Sequence, residues 1–404
     1  MDIIEEKLDL PPVEPVPTGL EKTPEDTFHT GEVVTIAVAH GAHDTYFAYL
    51  PTILPLLITN LSLNTAQAGL LTVFNQFPSL LQPFIGHLAD RKNLKMLVIL
   101  APTLSGILVT LVGVAPNFGL ASLLLLLAGF STAAFHSIAP AMVSSRAGSK
   151  VGRGMGFFMV GGELGYGIGP LVVVVAIGFL TLRGLPWLMT LGMLVSVILY
   201  IRLKNVSTVR NTQSQPGLPV REALSQLRVL MLPIMAILFI TAFLNANIVN
   251  YLPTFMSREG NSFAVAGISL TIVELGATVG VFLMGLFSDR LGHRNIILWG
   301  TLASCAFALG FLMVSGWLQM VMLVGVGATA FVANPAFLAI IQSRFTLNRS
   351  LANGVYMSSS FVLRSIVVVI VGVLADRFGM RPVFMGSSLA VLLAIPVIFL
   401  LPKS

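Results

Sequence analysis

Apolar residues in this chain gather into long runs parted by short polar loops, and twelve runs reach the roughly 20 residues that a bilayer-spanning helix needs. They lie near residues 31–58, 65–88, 94–115, 118–144, 152–178, 185–203, 228–256, 263–287, 295–315, 317–342, 352–374 and 380–401. Six fall in each half, and the halves echo one another. Gly86-His87-Leu88-Ala89-Asp90-Arg91 closes the second run, and Gly285-Leu286-Phe287-Ser288-Asp289-Arg290 closes the eighth, 199 residues later. Tyr49-Leu50-Pro51-Thr52 returns as Tyr251-Leu252-Pro253-Thr254, and Ser145-Arg146 as Ser343-Arg344. The pattern predicts an all-α membrane protein: twelve transmembrane helices in two pseudo-symmetric six-helix bundles, residues 31–203 and 228–404.

Composition narrows the class. With 55% hydrophobic and 10% charged residues and a mean hydropathy of +0.90, the chain is too apolar for a soluble domain. Of its 23 Lys and Arg residues, sixteen lie in the even-numbered loops and the C-terminal tail, two in the N-terminal tail and four in odd loops (Arg183, Arg258, Arg377 and Arg381). Cytoplasmic loops hold the excess of basic residues, so both termini are expected in the cytoplasm. The net charge of +6 is thus divided among short loops and gives no basic face for nucleic acid. Residues 1–30 are acidic and Pro-rich, with neither a basic n-region nor an apolar h-region, and read as a disordered cytoplasmic tail. Residues 204–227 include the longest polar interior stretch and read as a cytoplasmic linker. One cysteine, Cys305, sits mid-span, so no disulfide framework is expected. No coiled coil or soluble interaction domain is evident, and a monomer surrounded by membrane lipid is the expectation.

Chemistry should come from polar residues inside the spans, because ionisable groups there cost roughly 2.5–3.5 kcal/mol or more and are usually functional. In span one His40, His43 and Asp44 share a helix face at i, i+3 and i+4. Span four carries His136, span five Glu163 among glycines, span eight Glu274 and span eleven Arg364. Two readings fit the histidines and N-half carboxylates: a site that takes up and releases protons as access alternates, or a polar knot that ties helices by hydrogen bonds. Arg364 either binds an anionic group with its guanidinium fork or neutralises Glu274. Tyr356, Ser360 and Arg364 form a polar stripe on span eleven; Asn247, Asn250 and Tyr251 form one on span seven; Asn75, Ser79 and Gln82 form one on span two. Such stripes either line a central cavity or tie helices together. No metal site and no cofactor are predicted, since no single helix offers more than the His40/His43 pair.

Two six-helix repeats with Gly-x-x-x-Asp-Arg after spans two and eight resemble the major facilitator superfamily. In that signature glycine permits close packing while Asp caps a helix end and pairs with Arg, so Gly86, Asp90, Arg91, Gly285, Asp289 and Arg290 are expected to form a conformational gate or a topology anchor. A narrower resemblance rests on His40-x-x-x-Asp44, on Ala134-Phe135-His136 with the small residues running to Arg146, and on Gly152-Arg153-Gly154-Met155-Gly156-Phe157-Phe158-Met159-Val160-Gly161-Gly162 leading to Gly169-Pro170. These look like the fosmidomycin-resistance group of drug/proton antiporters, although Ser137 stands where that group has proline. The resemblance implies proton-driven efflux of a small anionic or drug-like compound such as fosmidomycin across a bacterial or archaeal cytoplasmic (inner) membrane, by alternating access. A symporter importing an organic anion or sugar phosphate is the nearest alternative, and a non-transporting membrane receptor or scaffold is one of another class. No enzyme is expected, for want of paired catalytic carboxylates or a nucleophile motif. Pro51, Pro140, Pro253 and Pro335 are expected to bend the cavity-lining helices.

Overall fold

A computed structural model describes residues 27–148, 150–204, 220–344 and 349–402; the segments read above as tail and linker lie outside them at 1–26 and 205–219. Among the described residues every regular element is helical: α1 (Thr30–Phe47), α2 (Tyr49–Leu61), α3 (Thr65–Gln76), α4 (Gln82–Arg91), α5 (Lys95–Leu111), α6 (Phe118–Arg146), α7 (Val151–Leu180), α8 (Met189–Leu203), α9 (Val220–Ala246), α10 (Leu252–Arg258), α11 (Phe263–Leu291), α12 (His293–Met313), α13 (Trp317–Ala330), α14 (Ala333–Arg344), α15 (Arg349–Phe378), α16 (Met380–Ala390) and α17 (Ile395–Ile398). α9 begins inside the stretch read as linker.

Among the described residues ten helical spans are long and apolar enough to cross a membrane, and they match the third to twelfth predicted runs. The first two runs fall outside this set and are broken helices, as the tenth run, which is counted, also is. α1 and α2 meet at Ala48, and a 3-10 turn at Phe77–Leu81 separates α3 from α4. Proline explains the first break, since Pro51 has no N–H for the Phe47 carbonyl. The duplicated Pro253 likewise leaves the Val249 carbonyl without its usual partner, and there the helix widens into a π-turn at Asn247–Tyr251. Residues 331–332, just before Pro335, part α13 from α14, whereas α6 runs unbroken through Pro140. Large apolar side chains such as Phe179, Trp299 and Met313 stand exposed on the outer surface, as a lipid-facing belt requires.

Core packing distinguishes the two ends of the molecule. One buried cluster draws on both halves, joining Tyr49, Leu54 and Leu71 to Tyr251, Phe255 and Phe311. At the other end each half keeps its own cluster, one around Ile36, Val98, Phe135 and Leu199, the other around Leu230, Ile234, Phe337 and Ile398. Among the described residues, then, the buried core is shared by the halves at the end holding α2 and the start of α3, and is separate in each half toward the end holding α4.

A charge-assisted tie reinforces the fused end. The first N–H groups of a helix lack intrahelical partners and carry a partial positive charge. In α3 the amides of Thr65 and Ala66 donate to the two carboxylate oxygens of Asp376 in α15, at 2.8 and 2.9 Å, and Gln67 donates to Asn64 Oδ1 at 2.7 Å. Gly372 allows the approach, because a methyl group there would lie 2.8 Å from both Ala66 Cα and the Thr65 carbonyl oxygen. The Tyr251 hydroxyl reaches the carbonyls of Val368 (2.9 Å) and Thr65 (3.2 Å), and Arg258 donates to Thr65 Oγ1 (3.1 Å). Arg381, another odd-loop cation, pairs with Glu259 at 2.6 Å. Gly372-Val373-Leu374-Ala375-Asp376-Arg377 is a third Gly-x-x-x-Asp-Arg, at the end opposite the Asp90 copy.

Removing the Asp376 cap should cost the fused state about 1–2 kcal/mol, a shift of about 5- to 30-fold in the opening equilibrium. In Asp376→Ala, spin labels at Leu61 and Arg377 are expected to report a new population at longer separation. An unchanged distance distribution would show that the tie does not hold this end closed.

Candidate functional site

α1 and α7 make the closest seam in the N-terminal half. Gly161, Gly165 and Gly169 recur every fourth residue along one face of α7. A methyl group on Gly41 would fall 2.7 Å from the Gly161 carbonyl oxygen, and one on Gly169 would fall 2.6 Å from that of Thr45, so the two backbones touch. The contact lays His40 over the bare face of Gly162 and stacks its ring on Phe158 at 3.8 Å between centroids.

From α6, His136 meets this pair. His40 Nδ1 lies 2.7 Å from the Phe158 carbonyl oxygen, and His136 Nδ1 lies 3.1 Å from that of Thr132. A carbonyl can only accept, so each Nδ1 donates and each neutral ring leaves a lone pair on Nε2. Those two Nε2 atoms are 3.2 Å apart. Asp44 Oδ2 lies 3.1 Å from the first and Oδ1 lies 3.5 Å from the second. With both rings neutral, two nitrogen lone pairs and a carboxylate would face one another at hydrogen-bonding distance. Their mutual repulsion calls for a cation among them, and one proton, making one ring an imidazolium, is the simplest.

Other predicted residues are placed as follows. His43 is buried, stacks on Phe135 at 4.6 Å and has no well-formed hydrogen bond at either ring nitrogen. Glu163 is within Coulomb range of Asp44 and His40, and also of Glu274 across the divide between halves. Glu274 is buried on α11 with Oε1 unpaired. Arg364 donates to Asn334 Oδ1 at 3.1 Å; among the described residues no carboxylate comes within ion-pair distance of it. The suggested neutralisation of Arg364 by Glu274 is thus not made.

Tyr166 and Asn334 are additions that no spacing rule picked out. Tyr166 is within Coulomb range of Glu274, Asp44, Glu163 and Arg364 together, groups that come from both halves. The only sequence sign was its place among the span-five glycines.

The stripe residues are more tied than free. Tyr356 is buried in an apolar cluster with Leu230 and Phe337, and Ser360 donates to the Met357 carbonyl. Asn247 donates to the Phe243 carbonyl and Ser387 Oγ, Asn250 is buried, and Tyr251 belongs to the tie at the fused end. Asn75 is buried with Oδ1 unpaired.

Among the described residues, nothing lies within 4 Å of where a methyl group on Gly86 would be. The surroundings of Asp90, Arg91, Gly285, Asp289 and Arg290 lie outside what is described.

Known proteins share both the sequence and the architecture. The model of the Major Facilitator Superfamily matches residues 36–367 and 234–404. The chain is 25% identical over 395 residues to the fosmidomycin resistance protein of Escherichia coli (strain K12), covering 96% of this chain and 97% of that one. It is 23% identical over 379 residues to the uncharacterised transporter YfnC of Bacillus subtilis (strain 168), covering 92% of each. Among solved structures, a bacterial homologue of the human lysosomal transporter Spinster, inward-facing and occupied, superposes with a TM-score of 0.75 at 16% identity, over 94% of this chain and 97% of that one. A duplicated pattern of apolar helices, halves joined at one end, and a family match from residue 36 to 404 agree: the chain is a multi-pass membrane transporter that belongs to the Major Facilitator Superfamily.

Proposed function

We propose that the protein exports a small anionic or drug-like compound in exchange for protons, with fosmidomycin, a phosphonate, as the first candidate cargo. The observation that carries this reading is the convergence of His40 Nε2, His136 Nε2 and Asp44 on a point that calls for a positive charge. A proton there joins α1 to α6 through charge-assisted hydrogen bonds. Its loss leaves three acceptors repelling one another and loosens that contact. Proton occupancy thereby biases which face of the carrier is open.

Glu163 and Glu274 extend the ionisable path from the cluster across the divide between halves. Arg364, held by neutral Asn334 rather than by a carboxylate, keeps its charge for an anionic group on the cargo. The two bundles, 31–203 and 228–404, rock about this region, with Asp90, Arg91, Asp289 and Arg290 gating the end where the halves part. The relative named for fosmidomycin resistance supports the choice of cargo, and the basic even-numbered loops support cytoplasmic termini in a bacterial or archaeal inner membrane.

The test uses purified protein in proteoliposomes with an imposed pH gradient and a pH-sensitive dye inside. Adding fosmidomycin should move protons opposite to the drug. Protons moving with the drug would identify a symporter instead. No proton movement with fosmidomycin or a panel of phosphonates and organic anions, from folded protein, would remove the proposal.

A further inference from the structure

Three donor atoms on two helices, with their lone pairs turned to one point, describe more than a proton trap. We propose that His40 Nε2, His136 Nε2 and one carboxylate oxygen of Asp44 form a three-ligand site for a divalent transition-metal cation of the zinc class, with one coordination position left open.

The geometry fits such an ion. Zinc binds imidazole nitrogen at about 2.0–2.1 Å and is tetrahedral, so its ligand atoms should lie about 3.3 Å from one another. His40 Nε2 lies 3.2 Å from His136 Nε2 and 3.1 Å from Asp44 Oδ2, the other carboxylate oxygen, Oδ1, lies 3.5 Å from His136 Nε2, and one donor atom from each of the three residues falls within 4.8 Å of the other two. The outer shell is also suited. A metal-binding histidine almost always donates its other ring N–H to a carboxylate, carbonyl or water, which fixes tautomer and orientation. Here Phe158 and Thr132 supply backbone carbonyls to the two Nδ1 atoms, so both Nε2 lone pairs are presented without rearrangement.

Burial accounts for the open position. The His40 side chain is 5% exposed and that of Asp44 15%, but His136 keeps 30%, so the side of the site next to His136 is accessible to a fourth ligand such as water or an oxygen of the cargo. His43 takes no part, since its ring is buried against Phe135 and is not among the converging donors. Spacing within one helix could not reveal the site, because the second imidazole comes from a residue 96 positions away. The inference stands on donor geometry and does not need proton coupling to be correct.

Purified protein without a polyhistidine tag would be titrated with Co2+ at neutral pH, in detergent and with no gradient or cargo. The wild type should show the visible ligand-field bands of tetrahedral Co2+, saturating at one ion per chain and abolished by Zn2+ but not by Mg2+. His136→Ala, which alters the more exposed ligand, should weaken binding by at least about 100-fold. Wild-type protein without tetrahedral bands would overturn the site even if every variant misfolded. Bands that persist unchanged in a folded His136→Ala would overturn it too. The readout is independent of transport, so it can succeed where proton-coupled export fails, and the reverse.

Discussion

Asp44→Asn is expected to abolish accumulation driven by a pH gradient, by about two orders of magnitude, while downhill exchange of labelled for unlabelled cargo continues. An asparagine keeps the shape of the carboxylate but carries N–H donors on a single nitrogen, which can take the place of Oδ1 and donate to His136 Nε2 across the α1–α6 contact without any mobile proton. The contact between α1 and α6 is then held permanently as if protonated. A step that needs proton release stops, whereas exchange, in which the carrier returns loaded, does not require it. The two assays together decide between the readings open from the sequence. Loss of both activities in folded protein would mark the cluster as a polar knot needed for structure, and retention of both would place coupling elsewhere, with Glu163 next in line.

Gly165→Val should reduce the yield of folded, monodisperse protein severely. At this position the opposing group is the backbone of Gly41, which cannot swing aside as a side chain would. Overpacking an ordinary core costs about 1–3 kcal/mol, and a branched side chain against an opposing main chain should exceed that range. Gly178→Val on the same helix is the control, because nothing lies within 4 Å of a methyl group there. Thermal unfolding of the two variants in one detergent should separate them clearly. Equal midpoints would mean that α1 and α7 do not depend on the bare seam.

Much of this was legible in the chain, for reasons that differ by residue. The apolar runs follow from the thickness of a bilayer, and the shared face of His40 and Asp44 follows from helical periodicity. The glycines of span five announce a close approach, but not that α1 is the partner. His136 could be picked out as a costly polar residue, yet its meeting with Asp44 depends on how α6 crosses α1, which no local pattern encodes. The polar content of the first two runs was visible, while the breaks at Ala48 and Phe77–Leu81 reflect packing as well as Pro51. Arg377 is the instructive miss. Counted as a charge it is an exception to the loop rule, whereas read with Gly372 and Asp376 it completes a third copy of the signature, and that copy is the one whose geometry is displayed.

The α1–α7 seam has a consequence for synthesis. The His40 ring is anchored to the carbonyl of Phe158, 118 residues later, and at about 5–20 residues per second a ribosome needs on the order of ten seconds to make that stretch. For most of that interval His40, His43 and Asp44 have neither α6 nor α7 to satisfy them, and a charged residue at a helix centre costs roughly 2.5–3.5 kcal/mol to insert. The two spans that emerge first are also the two that, among the described residues, fall outside the ten long and apolar helices. The polar face of the first span is therefore expected to be sheltered by the insertion machinery until α6 and α7 are translated.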